Sequence, residues 1–264
     1  TGAVINAVTK SGSNDFHGSV YGTYRENDWS GENPAGVKPQ IFDTDETYGA
    51  TFGGPLIEDR LFFFANYEKT TYSGVGTNFG PTDSGATNIV PITQAQIDEV
   101  IAISRDVWGW DPGTLSLPKA LDTTSEEYAL KLDWNINDRH RAAFTYNYNK
   151  GLNLTESDTG STRFEFGKHL YDRGTELKAY SGQLFSDWTD DFSTELRVAY
   201  NDVDATAACR DGANIGEVQI IVDPGRTVFL GCDDSRHFND LNYTVLQVKA
   251  AAHYRLGDHQ LGLG

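Results

Sequence analysis

Apolar and polar residues alternate strictly in repeated blocks of the chain, and this pattern limits the possible folds more than any other feature. The apolar positions of one block are Tyr128, Leu130, Leu132, Trp134 and Ile136. The positions between them carry alanine, lysine, aspartate and asparagine. A period of two indicates a β-strand with one apolar and one polar face. A polar face that is so consistently charged or amide-bearing is expected when the other face contacts lipid and the polar face lines a hydrated lumen.

The alternation predicts nine strands. They cover residues 16–25, 47–56, 61–70, 128–136, 142–149, 177–188, 194–201 and 243–256, with a ninth beginning at His259. The connections are alternately short and long, and the long ones span about residues 26–46, 71–125, 151–176 and 202–242. Outer-membrane barrels have short periplasmic turns and long extracellular loops. The sequence therefore predicts an all-β fold, an antiparallel transmembrane β-barrel that is only partly present, with long extracellular loops.

The alternation also assigns polar side chains to the lumen. The candidates are Arg25, Glu68, Lys131, Asp133, Asn147, Gln183, Arg197, Lys249, His253 and Arg255. Phe185 falls on the same side of its strand and does not fit the pattern.

One long connection is predicted to contain a short helix. Thr93 and Gln96 have the spacing of a capping box, in which each side chain bonds to the backbone of the other residue. Apolar residues then recur with helical spacing from Ile97 to Trp108, and Gly109 would end the helix. We expect the apolar side of this helix to pack on other loop residues, with direct contact to a ligand as the less favoured alternative.

The composition excludes several classes of protein. The chain has 264 residues and a net charge of −17, which disfavours nucleic acid as a partner because phosphates require a basic surface. No apolar run reaches the roughly 18 residues of a transmembrane helix. Many acidic residues lie in the long connections. They indicate either a soluble surface or contact with a divalent cation or cationic ligand.

The only two cysteines, Cys209 and Cys232, lie in one long polar connection. Their position predicts a loop-closing disulfide in an oxidising compartment, and two free thiols are the alternative. No zinc-binding spacing, nucleophile motif or phosphate-binding loop is present. We therefore expect no catalytic residues, no cofactor and no metal-binding motif, and the chain is not expected to be an enzyme.

Three segments carry a family resemblance. Residues 1–14, TGAVINAVTKSGSN, resemble the closing strand of the plug domain of TonB-dependent receptors, and residues 15–21 resemble the first barrel strand of that family. Residues 52–68, FGGPLIEDRLFFFANYE, are similar to the hairpin of the second and third strands in the Oar-like branch.

The resemblance implies a plugged barrel of about 22 strands in the bacterial outer membrane. Residues 1–14 would end the plug, and residues 15–264 would form the N-terminal part of the barrel, so the chain is expected to be an internal piece of a longer protein. The implied function is import of a bulky ligand driven through TonB. The expected partners are outer-membrane lipid, the TonB complex and an unidentified extracellular ligand. An adhesion protein that uses the barrel as a platform, or a passive pore, is the alternative.

Overall fold

The computed structural model describes residues 10–76, 78–113, 120–156, 158–209, 215–236 and 239–264. Most of the plug-like segment 1–14 lies outside these ranges. In chain order the strands are β1 (His17–Glu26), β2 (Phe42–Ile57), β3 (Leu61–Val75), β4 (Phe79–Gly80), β5 (Asn88–Ile89), β6 (Ala120–Asn137), β7 (His140–Thr155), β8 (Arg163–Glu165), β9 (Tyr171–Asp187), β10 (Phe192–Cys209), β11 (Val218–Asp223), β12 (Arg226–Leu230), β13 (Leu241–Leu256) and β14 (His259–Leu263). The helices are α1 (Gln94–Asp106) and a short 3-10 helix, Asn27–Trp29.

Nine strands form one antiparallel sheet in the order β1-β2-β3-β6-β7-β9-β10-β13-β14. The predicted meander of nine strands is therefore confirmed. Its longest members, β6 and β10, have 18 residues each. A tilted strand needs only about 9–11 residues to cross a bilayer. The observed strands are longer than the predicted segments, and their additional residues belong to connections that were predicted to be long loops. Within the described residues, no helix is both long and apolar enough to cross a membrane.

The apolar face of the sheet is built from directly paired residues. Leu132 pairs with Phe63 of β3 and with Phe144 of β7. Tyr128 stacks on Tyr148, with ring centroids 4.5 Å apart. Many of these side chains are exposed, and Val20 reaches 88%. An exposed apolar face of this extent is stable in lipid but not in water.

A cluster of tyrosines crosses the strands near the long connections. Its neighbouring ring centroids lie 4.5–6.4 Å apart, and its members are Tyr128, Tyr146, Tyr148, Tyr180 and Tyr200. Trp188 lies at the opposite ends of the strands, where its ring is 5.0 Å from that of His140. This separation fits two interfacial belts of aromatic residues.

Glycine permits one close approach on the polar face. Tyr21 of β1 lies across Gly49 of β2, and its hydroxyl donates to Glu68 of β3 over 2.6 Å. A side chain at position 49 would collide with the Tyr21 hydroxyl. Gly49 therefore lets one aromatic side chain connect three neighbouring strands.

Candidate functional site

The strand register places the ten lumen candidates on one face of the sheet. Asp133, Gln183, Arg197 and Lys249 lie in one row that crosses strands β6, β7, β9, β10 and β13, with Ala143 completing the row. Each of the other six candidates lies an even number of positions along its own strand from a residue that the pairing places on this face. All six therefore lie on the same side of the sheet. That this face lines a lumen stays a prediction.

Glu195 lies between two cationic side chains on the polar face. It is paired with Arg197 on its own strand, and the Lys249 Nζ lies 3.5 Å from its Oε2. Its side chain is only 14% exposed. A largely buried carboxylate needs cationic partners of this kind to offset its desolvation cost.

Phe185 lies on the polar face, as its sequence position indicates. The guanidinium carbons of Arg141 and Arg197 lie 4.9 and 5.6 Å from its ring centroid. Cations are attracted to the face of an aromatic ring. The ring therefore acts as a partner for two arginines, which explains why an apolar residue occurs there.

Residues 10–14 lie against the polar face. Lys131 Nζ donates to Ser11 Oγ over 2.7 Å and lies 3.4 Å from Asp133 Oδ1. Asn14 forms a reciprocal pair with Asp59 in the β2–β3 turn. The Asn14 amide donates to Asp59 Oδ1 over 2.6 Å, and the Asp59 backbone amide donates to Asn14 Oδ1 over 2.8 Å. The segment before β1 is thus fastened to the side of the sheet predicted to face inward.

Four further candidates lie near the strand ends or beside that segment. Arg25 pairs with Asp45 over 2.6 Å, and Arg255 pairs with Asp191 over 2.8 Å. His253 lies beside Arg255 in a cleft at the short-turn end, and Asn147 lines a cavity of about 290 Å³ together with Lys10.

The described parts of three long connections share one hydrophobic core. Its buried residues are Val90, Ile92, Ile97 and Val100 from the first connection, Phe164 and Phe166 from the second, and Val228 and Leu230 from the third. We call this set, with the short strands and helix that carry it, the loop module. The predicted capping box of α1 is present, with Gln96 N donating to Thr93 Oγ1 over 3.2 Å.

The predicted packing of α1 needs one correction. Ile97 and Val100 are buried as expected, but Trp108 is 77% exposed. The helix ends at Asp106, and Gly109 takes a positive φ of 64°, so Trp108 no longer follows the helical repeat. Trp110, beyond that turn, packs against the core instead.

The third of these connections is fixed covalently. Cys209, the last residue of β10, and Cys232 form a disulfide, with their Cα atoms 5.6 Å apart. The backbone amide of Cys232 also donates to Ile215 O over 3.0 Å. The bond ties the segment after β12 to the end of a barrel strand.

A buried polar cluster lies next to this disulfide. His169 and Glu165 are fully buried, and Asp233 is 4% exposed. His169 Nε2 lies 3.2 Å from Asp158 Oδ2 and 3.9 Å from Glu165 Oε2. Burial raises the pKa of Glu165 to about 7, opposed mainly by the charge of His169. Asp158, His169 and Asp233 of this cluster, together with Glu217, form a group of side chains that could hold a metal ion.

Sequence reasoning missed this cluster. Its members come from two connections and are separated by up to 75 positions, from Asp158 to Asp233. The acidic character of the long connections was the only signal in the sequence.

The polar face, the apolar face and the loop module together define the class of the protein. Residues 8–96 match the outer membrane beta barrel domain family. The structure is similar to that of the outer membrane transporter YddB from Escherichia coli, with a TM-score of 0.55 and 11% identity over 92% of this chain and 28% of that one. The chain therefore contains part of an outer-membrane β-barrel, and the protein is located in the outer membrane.

Sequence similarity to a known transporter narrows the class of protein further. The chain is 32% identical to the TonB-dependent transporter Oar of Myxococcus xanthus over 175 residues. This match covers 61% of the chain and 14% of the length of Oar. The resemblance to TonB-dependent receptors of the Oar-like branch is confirmed.

Proposed function

We propose that this protein imports a bulky ligand across the outer membrane with energy supplied through TonB, and that it has no catalytic activity of its own. The observation that carries the proposal is the contact of residues 10–14 with the polar face. In a plugged barrel the chain passes from the plug into the first strand of the wall. Ser11 and Asn14 lie just before that strand and are held by hydrogen bonds to Lys131 and Asp59. The similarity to the transporter Oar supports the same function.

The polar face would give a ligand a path lined by both positive and negative side chains. A cavity of about 670 Å³ lies where this face meets the long connections. Its lining includes Glu156, Arg173, Thr175, Arg236 and Asp240. Both charge signs are present, so the cavity suits a polar ligand with several hydrogen-bonding groups. We propose this cavity as the first contact on the inner side of the loops.

The alternative is adhesion, and the loop module is the observation that favours it. A module with its own core presents a stable outer surface, and such a surface does not require an open lumen. In this case the barrel would serve only as a platform.

Medium depletion in three strains distinguishes these functions. Cells with the full-length protein, cells without it and cells lacking TonB would be grown in the same extract, and residual solutes would be measured by mass spectrometry. Import predicts that depletion of a solute requires both the protein and TonB. Adhesion predicts surface association that persists without TonB. A pore predicts depletion that needs the protein but not TonB. Either of the last two results would contradict the proposal.

A further inference from the structure

Two arginine side chains line the cavity of about 670 Å³ where the polar face meets the long connections. Arg173 belongs to β9, and Arg236 belongs to the connection between β10 and β13. Both are exposed, and within the described residues neither guanidinium group makes a hydrogen bond or an ion pair. By contrast, Arg25 and Arg255 on the polar face are each paired with an aspartate. The two guanidinium groups in the cavity are therefore available to a ligand.

The strand register leaves open space beside Arg173. This residue lies on the polar face, because it is an even number of positions from Gln183 on the same strand. Its partner on β10 is Ala207, and the next pair on that face is Thr175 with Ala205. All three neighbours line the cavity, and none of them carries a carboxylate. Their short side chains therefore leave room for a ligand next to the arginine.

Both arginines act on one buried side chain of the cavity wall. Tyr171 lines the same cavity and is 5% exposed. Burial raises the pKa of Tyr171, and the charges of Arg236 and Arg173 oppose this rise. A charge shifts a pKa strongly only when it is close, so both guanidinium groups lie toward the Tyr171 end of the cavity. Two carboxylates that also act on this tyrosine, Asp233 and Glu165, belong to the buried cluster and do not line the cavity.

The acidic residues of the lining limit the kind of ligand that fits. Glu156 and Asp240 line the cavity together with the two arginines. They would repel a ligand that is anionic along its whole length. Asp240 precedes Leu241, which pairs with Ala205, so it lies on the β13 side of the cavity. The lining therefore suits a ligand that has one anionic group and several hydrogen-bond donors.

We propose that Arg173 and Arg236 bind a carboxylate or phosphate group of the imported ligand in this cavity. The guanidinium group presents its donors in a planar fork that matches both of these groups. A volume of about 670 Å³ is also typical of sites for small organic ligands. The inference rests on the proposed role of this cavity as the first contact of the ligand, and it assigns the charge of the group that is bound there.

Equilibrium dialysis with the purified full-length protein in detergent tests this assignment. The growth extract of the uptake experiment would be divided on an anion-exchange column into an anionic pool and a pool of neutral and cationic solutes. Each pool would be dialysed against the protein, and the solutes enriched on the protein side would be measured by mass spectrometry. The enriched solutes should come from the anionic pool. Arg173→Gln and Arg236→Gln should each weaken their binding by about tenfold or more.

Arg226→Gln is the matched control, because it removes the same charge from the same connection as Arg236→Gln but lies outside the cavity. It should bind the solutes as the wild type does. Arg173 and Arg236 are exposed, so their variants are expected to fold. Arg173→Lys should recover part of the binding, since lysine keeps the charge but not the planar fork.

Treatment of the anionic pool with alkaline phosphatase distinguishes the two sources of the anionic group. Loss of the enriched solutes after treatment identifies a phosphate monoester, and their persistence identifies a carboxylate. Either result supports the proposal. Enrichment from the other pool alone, no enrichment at all, or equal binding by the wild type, Arg173→Gln and Arg236→Gln would overturn it.

The dialysis contains no TonB, so it separates this proposal from the proposal of import. Binding that depends on Arg173 and Arg236, without TonB-dependent uptake in cells, would refute import and leave the anion site in place. TonB-dependent uptake of a neutral or cationic solute, without binding that depends on these arginines, would support import and refute the anion site.

Discussion

At the scale of single residues, the two faces of the sheet differ in polarity. Leu132 is paired with Phe63 and Phe144, while its neighbour Lys131 bonds to Ser11 and Asp133. Side chains of adjacent residues point to opposite faces of a strand. One position along the strand therefore separates an environment that excludes charge from one that contains paired charges.

The first prediction uses this contrast. Leu132→Arg in the full-length protein should reduce assembly, because a charge on the lipid face near mid-membrane costs roughly 2–4 kcal/mol. Lys131→Leu, the matched change on the polar face, should reduce assembly much less. The measurement is the heat-modifiable fraction of the protein in isolated outer membranes. A larger loss with Lys131→Leu would show that the register is wrong by one residue.

The faces could be predicted because alternation depends only on neighbours in sequence. Phe185 shows the limit of that reasoning. Its place on the polar face was visible in the sequence, but its partners Arg141 and Arg197 lie on adjacent strands. Only the register reveals that the ring lies near two guanidinium groups, and the sequence pattern does not specify side-chain pairing of that kind.

At the scale of elements, the loop module depends on contacts between distant segments. Val90, Phe164 and Val228 are all buried in one core, although 138 positions separate the first from the last. The helix could be predicted, since the capping box and the apolar spacing are local. The short strand β8 could not, because its partner β12 belongs to another connection.

The second prediction tests whether this core is formed. Ile97→Ala should destabilise the loop module by roughly 2–5 kcal/mol, because Ile97 is fully buried. Ile103→Ala, in the same helix, should change stability by less than about 0.5 kcal/mol, since Ile103 is 45% exposed. Limited proteolysis of intact cells would measure both effects. Equal cleavage rates for the two variants would contradict the shared core.

The third prediction concerns the disulfide. Denatured protein that has not been reduced should contain no reactive thiol from Cys209 or Cys232, as measured by quantitative labelling. Replacing both cysteines by serine should speed cleavage of the segment between them while leaving the barrel intact. A loop of 23 residues gains about 3 kcal/mol from closure in the chain-entropy account. Two labelled thiols per chain would rule out the bond.

At the scale of the whole molecule, the sheet has two open edges among the described residues. Strands β1 and β14 are the first and last in the sheet, and each pairs with one neighbour in the described structure. Unpaired backbone groups are costly in lipid because no water is available to bond with them. The nine strands therefore need further strands to close, in agreement with their match to 28% of the chain of YddB.

The fourth prediction follows from these edges and from the apolar face. Expressed alone, residues 1–264 should aggregate or stay unfolded, since their exposed apolar face and strand edges would associate in water. In detergent they should give no monodisperse, heat-modifiable species, whereas the full-length protein should give one. Size-exclusion chromatography and circular dichroism after refolding would decide this. A cooperatively melting monomer from these residues alone would mean that the sheet closes by itself, and the lipid-facing and lumen-facing assignments would then have to be abandoned together.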